Sequence, residues 1–197
     1  MAERRAVQSR KTGETEVHVT LDLDGGPRSI DTGIPFFDHM LDQLAKHGGI
    51  GLEVKARGDL SVDAHHTVED VGIVLGQAFR EAVGDRAGLR RFGSAVGLLD
   101  EARISVSLDL SGRPFFVYEL DPGRERIGNF DPQLLEEFLR AFVTDAGISL
   151  HIVADAGRNA HHMCEAAFKG LARALSDALS PDPRRDGGSP STKGMLA

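Results

Sequence analysis

The sequence lacks the composition typical of disulfide-rich, membrane-spanning or nucleic-acid-binding proteins. It has one cysteine, so no disulfide can form within the chain, and cytoplasmic residence is the expectation. No segment approaches the ~18 consecutive apolar residues of a membrane span, and the charged N-terminus has no apolar run typical of a signal peptide. Acidic residues (30) outnumber basic residues (23), and the net charge of -7 disfavours nucleic-acid and membrane partners. A small anionic ligand is still allowed, provided that basic residues cluster locally.

Two histidine doublets, each followed by a glutamate, are the most informative feature present. The segment HHTVE occupies 65–69, and HHMCE occupies 161–165. An apolar stripe at helical spacing follows each doublet: Val68, Val71, Leu75, Ala78 and Ala82 in the first, and Cys164, Ala167, Leu171, Ala174 and Ala178 in the second. One half of the chain is therefore predicted to repeat the other.

The repeat extends upstream of the doublets. The segments TLDLDG (20–25) and SLDLSG (107–112) are each typical of a strand followed by a turn. An amphipathic helix is predicted in each half, at about 36–46 and 133–144. Each helix should end at a glycine. Superposing Gly49 on Gly147 aligns the apolar segments that follow these glycines, so one further strand is predicted in each half.

The predicted fold class is α+β, an internal duplication of two strand-strand-helix-strand-helix halves with mixed sheets and helices on one face. The halves cover about 1–90 and 91–180, and the linker 84–94 is too short for independent domains. With 41% hydrophobic residues, the chain can bury a proper core. We therefore expect a single unit, followed by a mobile segment at 181–197 that is rich in Pro, Gly, Ser and Asp.

The spacing within the doublets is suited to metal binding. His65 and Glu69 are four residues apart and point to the same side of a helix. His66 is turned by ~100° from His65, so a doublet is better suited to bridging two sites than to chelating one ion. The helix register places His39 on Glu137. The candidate metal ligands are His39, His65, His66, Glu69, Glu137, His161, His162 and Glu165.

Divided between two ions, these candidates supply four ligands each. The first hypothetical site takes His39, His66, His161 and Glu165, and the second takes His65, Glu69, Glu137 and His162. Imidazole and carboxylate ligands without thiolate suit Mn²⁺, with Fe²⁺, Co²⁺ or Zn²⁺ as competitors. Structural zinc would more often use four closed ligands that include cysteine. Four protein ligands would leave coordination positions open on each six-coordinate ion, which indicates a catalytic site and not a structural one.

Several strings resemble those of the imidazoleglycerol-phosphate dehydratase family. They are GIPFFDHML (33–41), DAHHTVED (63–70), SLDLSGRP (107–114), NAHH through FK (159–169) and STKG (191–194). The resemblance implies the sixth step of histidine biosynthesis, in which imidazole glycerol phosphate loses water to give imidazole acetol phosphate. It also implies two Mn²⁺ per subunit and a hollow shell of roughly 24 copies, built from trimers, with active sites at subunit contacts.

The resemblance also assigns roles to residues. Glu14 occupies the position of an acid/base carboxylate that binds substrate, and His65, Glu69, His161 and Glu165 are the catalytic metal ligands. Residues matching substrate and phosphate contacts are His39, Gln43, His47, Arg91, Arg113 and Lys169. Ser191, Thr192 and Lys193 match a C-terminal lid that closes over the substrate. Position 137 departs from the pattern, because many relatives have histidine there, although glutamate remains a competent ligand.

The residues alone leave other interpretations open. Without the resemblance, Glu14 is an exposed residue on a flexible arm, and Arg91 or Arg113 is a surface charge. Two adjacent ions could also activate water in a phosphoesterase. A non-catalytic metal-binding protein is the other alternative, although this interpretation gives no role to Arg91, Arg113 and Lys193.

Overall fold

The computed structural model describes residues 3–184, 188 and 191, and it shows the predicted duplication. The first half contains β1 (Arg5–Lys11), β2 (Thr15–Asp22), β3 (Arg28–Asp31), α1 (Pro35–Gly48), β4 (Gly51–Gly58) and α2 (His65–Val83). The second half contains β5 (Phe92–Leu99), β6 (Ala102–Asp109), β7 (Phe115–Glu119), α3 (Leu134–Ala146), β8 (Ser149–Ala156) and α4 (Ala160–Ala178). The order of elements is the same in both halves.

Each half forms one four-stranded sheet, with the strand orders β1-β2-β4-β3 and β5-β6-β8-β7. The edge strands β3 and β7 run parallel to their neighbours, and the other pairs are antiparallel. The mixed sheets are therefore confirmed. Strands β3 and β7 were not predicted from the sequence, because they are short and lack an alternating pattern of buried and exposed residues.

The helices lie on one face of each sheet and pack against those of the other half. Helix α2 lies on β1 and β2, and α4 lies on β5 and β6. Across the halves, α1 packs against α4 and α2 against α3, so the four helices form the interior between the two sheets. Every residue of the two predicted apolar stripes is buried, Cys164 included, and one hydrophobic cluster spans both halves.

Glycines determine two local features of this packing. Gly49 and Gly147 end α1 and α3 with φ angles of 69° and 65°, as predicted from the sequence. In β5, a Cβ atom on Gly97 would lie 1.8 Å from the carbonyl oxygen of Ala166 in α4. Only glycine therefore allows the backbone of β5 to lie this close to the second doublet helix.

The start of the C-terminal segment is attached to the linker between the halves. Leu89 forms a bridge with Pro181, and the Asp182 N–H donates to the carbonyl oxygen of Gly88 at 2.8 Å. The N–H of Gly88 in turn donates to the carbonyl oxygen of Gly188 at 3.1 Å. Of the predicted lid residues, Thr192 and Lys193 lie outside the described residues. Among the described helices, none combines the length and apolar character that crossing a membrane requires.

Candidate metal centre and active site

Three of the predicted metal ligands converge where the two halves meet. His39 on α1 places Nε2 3.2 Å from Oε2 of Glu165, and His161 on α4 places Nε2 3.1 Å from the same oxygen. These three potential ligand atoms lie within 4.8 Å of one another. The group contains three of the four residues of the first hypothetical site.

Glu165 is held as a carboxylate at the centre of this group. Its side chain is only 12% exposed, and the Lys169 ammonium lies 2.7 Å from Oε1. Burial opposes ionisation, but Lys169 and the two imidazoles outweigh it and lower the pKa of Glu165 to about 2. The group therefore presents a negative oxygen at neutral pH, as a divalent cation requires.

The lowered pKa of Glu165 predicts an effect on acid stability in the metal-free protein. A carboxyl group with a depressed folded-state pKa stabilises the fold above its unfolded pKa, and this contribution disappears as the pH falls through the folded value. We expect Glu165→Gln to lower Tm at pH 6, and the difference from the wild type to shrink between about pH 4.5 and 2. Thermal unfolding of both proteins across this range measures the effect, and a pH-independent difference would contradict it.

His66 belongs to a different group in the single chain. Its Nδ1 lies 3.0 Å from Oδ2 of Asp59 and 3.8 Å from Oε2 of Glu14, and these residues form the second potential ligand group among the described residues. The hydrogen bond to Asp59, supported by Glu14, raises the pKa of His66. Within one chain, His66 therefore does not join His39 and His161 as the hypothetical partition had it.

His162 has a carboxylate partner that was not among the candidate residues predicted from the sequence. Its Nδ1 lies 2.8 Å from Oε2 of Glu101, which follows β5. Glu101 also accepts hydrogen bonds from the backbone N–H groups of Arg158 and Asn159 at 3.2 and 2.8 Å. The hydrogen bond from His162, followed by the backbone contacts, lowers the pKa of Glu101 to about 2.

The remaining candidate ligands do not form a second complete site within the described part of one chain. His65 and Glu69 lie on the first two turns of α2, and both are partly exposed. Glu137 on α3 lines a surface cavity of about 510 Å³. Helices α2 and α3 pack as α4 and α1 do, so these three residues are the pseudo-symmetric counterparts of His161, Glu165 and His39.

The turn that carries Glu14 is anchored to α2. The buried Asp70 accepts hydrogen bonds from the Thr15 hydroxyl and from Nε of Arg10, the latter at 2.9 Å. Oγ1 of Thr15 lies 3.2 Å from Oγ1 of Thr12, which accepts from the backbone N–H of Glu14 at 3.1 Å. The Glu14 side chain itself is 59% exposed. The backbone of this residue is therefore fixed while its carboxylate is accessible.

The predicted substrate-binding residues are in varied surroundings. Gln43 and His47 follow His39 at helical spacing on α1, and their side chains are 3.0 Å apart. Burial, followed by the charge of Lys169, lowers the pKa of His47. Arg113 is exposed just before β7.

Arg91 forms a two-pronged ion pair in the structure. Its Nε and Nη2 donate to the two carboxylate oxygens of Asp109 at 2.6 and 2.9 Å. The guanidinium carbon also lies 4.7 Å from the ring centre of Phe92. This ion pair therefore joins the residue before β5 to the last residue of β6.

Comparison with known proteins confirms the resemblance. The family model of imidazoleglycerol-phosphate dehydratase matches residues 32–175. The protein of that name from Gluconobacter oxydans is 55% identical over 194 residues, covering 98% of each chain. That from Thioalkalivibrio sulfidiphilus is 54% identical over 197 residues, covering 100% of each. The crystal structure of the Staphylococcus aureus imidazoleglycerol-phosphate dehydratase matches with a TM-score of 0.83 and 36% identity, covering 90% of this chain and 99% of that chain. The chain therefore belongs to the imidazoleglycerol-phosphate dehydratase family and is a hydro-lyase.

Proposed function

We propose that the chain removes water from imidazole glycerol phosphate to give imidazole acetol phosphate, a step of histidine biosynthesis. The observation that carries the proposal is the convergence of His39, His161 and Glu165 at the meeting of the two halves, in a chain of this family. Two imidazoles and an ionised carboxylate provide a donor set for a divalent ion with open coordination positions. Cytoplasmic residence, expected from the single cysteine, belongs to the same proposal.

The donor chemistry of this group fits Mn²⁺. It offers nitrogen and carboxylate oxygen ligands, and the one cysteine, Cys164, is buried in the core with its pKa raised by burial to about 12. We propose two ions per subunit, with His39, His161 and Glu165 holding the first. When bound, such ions would supply Lewis-acid charge to the substrate imidazole and so favour loss of the neighbouring hydroxyl.

The second ion requires ligands that one chain does not bring together. His65, Glu69 and Glu137 align with His161, Glu165 and His39 in the repeat, with glutamate in the place of His39. His66 and His162 lie in the first turns of α2 and α4 and are partly exposed, so each could reach an ion held mainly by another copy. This arrangement supports active sites at subunit contacts, and the family resemblance implies a homo-oligomer of about 24 chains, built from trimers.

The assembly proposal predicts a response to metal removal. Metal ligation between subunits would contribute to association, so a chelator should produce smaller oligomers and added Mn²⁺ should restore the large one. Light scattering before and after chelation measures the mass. A mass that stays the same under both conditions would show that the ions do not hold the subunits together.

The chain's own groups can then move protons and hold the phosphate. Glu14 is an exposed carboxylate beside the first doublet, suited to taking the proton from the carbon next to the imidazole ring. Lys169 and Arg113 supply positive charge for the phosphate, and we retain Arg91 as a further substrate contact. We retain Gln43 and His47 as pocket residues, and Ser191, Thr192 and Lys193 as a lid over the phosphate.

A single assay separates the candidate functions. The protein is supplied with Mn²⁺ and imidazole glycerol phosphate, and both the absorbance of the enolised product and inorganic phosphate are measured. Formation of the dehydrated product supports the proposal, while phosphate release indicates a di-metal phosphoesterase. Neither product would indicate a non-catalytic metal-binding protein. His161→Ala should abolish turnover, and His151→Ala, which changes an exposed histidine on β8, is the matched control.

A further inference from the structure

The internal duplication places Glu101 at the position that Glu14 occupies in the first half. The register that aligns residues 20–25 with 107–112 also aligns these two glutamates. Each lies at the connection between the first two strands of its half, and each faces the second histidine of its own doublet. The two carboxylates therefore have a common structural origin.

Glu14 and Glu101 differ in exposure and in hydrogen bonding, which indicates different roles. Glu101 is 29% exposed and receives hydrogen bonds from His162 and from two backbone N–H groups. Glu14 is 59% exposed, and its carboxylate lies 3.8 Å from Nδ1 of His66, beyond hydrogen-bond distance. Glu101 is thus fixed in place, and Glu14 is not.

The first half has another carboxylate for the task that Glu101 performs in the second. Asp59, after β4, accepts the hydrogen bond of His66 Nδ1 at 3.0 Å. Superposing Gly49 on Gly147 aligns Asp59 with Gly157, which has no side chain. A Cβ atom on Gly157 would lie 2.5 Å from Cγ of Met163, so a side chain at this position would require Met163 to move. In the second half, the strand connection supplies the partner of the histidine instead.

We propose that Glu101 is a positioning residue that orients the His162 imidazole for metal binding. An ionised carboxylate can only accept a hydrogen bond, so Nδ1 of His162 carries the proton and Nε2 is left as the nitrogen that can bind an ion. Asp59 has the same task for His66, which releases Glu14 for proton transfer. The inference rests on the proposed function, in which His162 is a metal ligand.

Metal binding itself provides the test. Metal-free wild type, Glu101→Ala and Glu101→Gln are titrated with Mn²⁺, and free Mn²⁺ is followed by electron paramagnetic resonance. Loss of such a carboxylate partner typically weakens metal binding by about 10–100-fold, so we expect Glu101→Ala to lose this much affinity for one of the two ions. Glu101→Gln should lose about 10–100-fold as well, because its one carbonyl oxygen stays with the N–H groups of Arg158 and Asn159 and its NH2 group faces Nδ1 of His162, which then has no acceptor for its proton.

The variants and controls distinguish positioning from general damage. Glu101→Gln keeps an oxygen for the N–H groups of Arg158 and Asn159, so this variant decides the question if Glu101→Ala does not fold. Glu53→Gln removes an exposed carboxylate from β4 and should bind Mn²⁺ as the wild type does. Excess Mn²⁺ should restore most of the turnover of the Glu101 variants. Less than a twofold loss of Mn²⁺ affinity in Glu101→Gln would overturn the proposal. Since this titration contains the metal alone, its outcome does not depend on whether imidazole glycerol phosphate is the substrate.

Discussion

Glu14→Gln should slow turnover by roughly 10²–10⁴-fold, the range for losing a general acid or base, while metal content and substrate affinity stay close to those of the wild type. The substitution preserves the shape of the side chain but removes its ability to accept a proton. The turn itself should not move, because Thr12, Thr15 and Asp70 hold it through bonds that do not involve the Glu14 carboxylate. The effect should therefore appear in kcat and not in stability.

Steady-state kinetics and elemental analysis on the same preparation test this prediction. The matched control is Glu16→Gln, which changes a carboxylate two residues along the chain that is paired with Lys11. It should leave kcat within about twofold, since exposed ion pairs contribute little. Turnover close to normal in Glu14→Gln would make Glu14 an exposed residue without a catalytic role.

Gly97→Val should destabilise the protein by at least about 4 kcal/mol, which is exceptional for a single substitution and a large part of the ~5–15 kcal/mol that stabilises a typical domain. The added Cβ would lie 1.8 Å from the carbonyl oxygen of Ala166, and backbone cannot move aside as a flexible side chain can. Relief would require α4 to shift away from β5. Because α4 carries His161, His162 and Glu165, such a shift would also displace the metal ligands.

Denaturant unfolding and Mn²⁺ stoichiometry measure the two consequences. Ser94→Val is the matched control, because it places the same side chain in the same strand but on the exposed face. We expect this control to unfold within about 0.5 kcal/mol of the wild type, as exposed substitutions usually do. A Gly97→Val protein with normal stability would mean that α4 and β5 are not packed as closely as described.

The features that could be predicted from the sequence are those encoded by local periodicity. The two apolar stripes behind the doublets identified α2 and α4, and Gly49 and Gly147 identified the ends of α1 and α3, because only glycine adopts a positive φ angle without strain. Repetition of these local signals was enough to indicate an internal duplication.

Contacts between distant segments could not be predicted in the same way. Glu101 and His162 are 61 residues apart, and no spacing rule connects a strand turn to a helix start. The surroundings of His66 could not be predicted for a similar reason: helical geometry gives the direction of the side chain relative to His65, but not the presence of Asp59 beside it. The aligned position of Glu14 and Glu101 was the one sequence signal that could have identified the second partner.

The ion pair between Arg10 and Asp70 has no equivalent in the second half. By the alignments of the repeat, Arg10 corresponds to Gly97 and Asp70 to Ala166. The second half therefore has close packing between the backbones of β5 and α4 at the place where the first half has an ion pair. Replacing only one of these two residues by its counterpart from the first half would destabilise the protein. An arginine at position 97 would collide with α4, and an aspartate at position 166 would be buried without a cation. The two copies have thus diverged in a way that couples substitutions 69 residues apart in the chain. In a chimera of the two halves, the smallest unit that could be transplanted intact is a first strand together with its doublet helix.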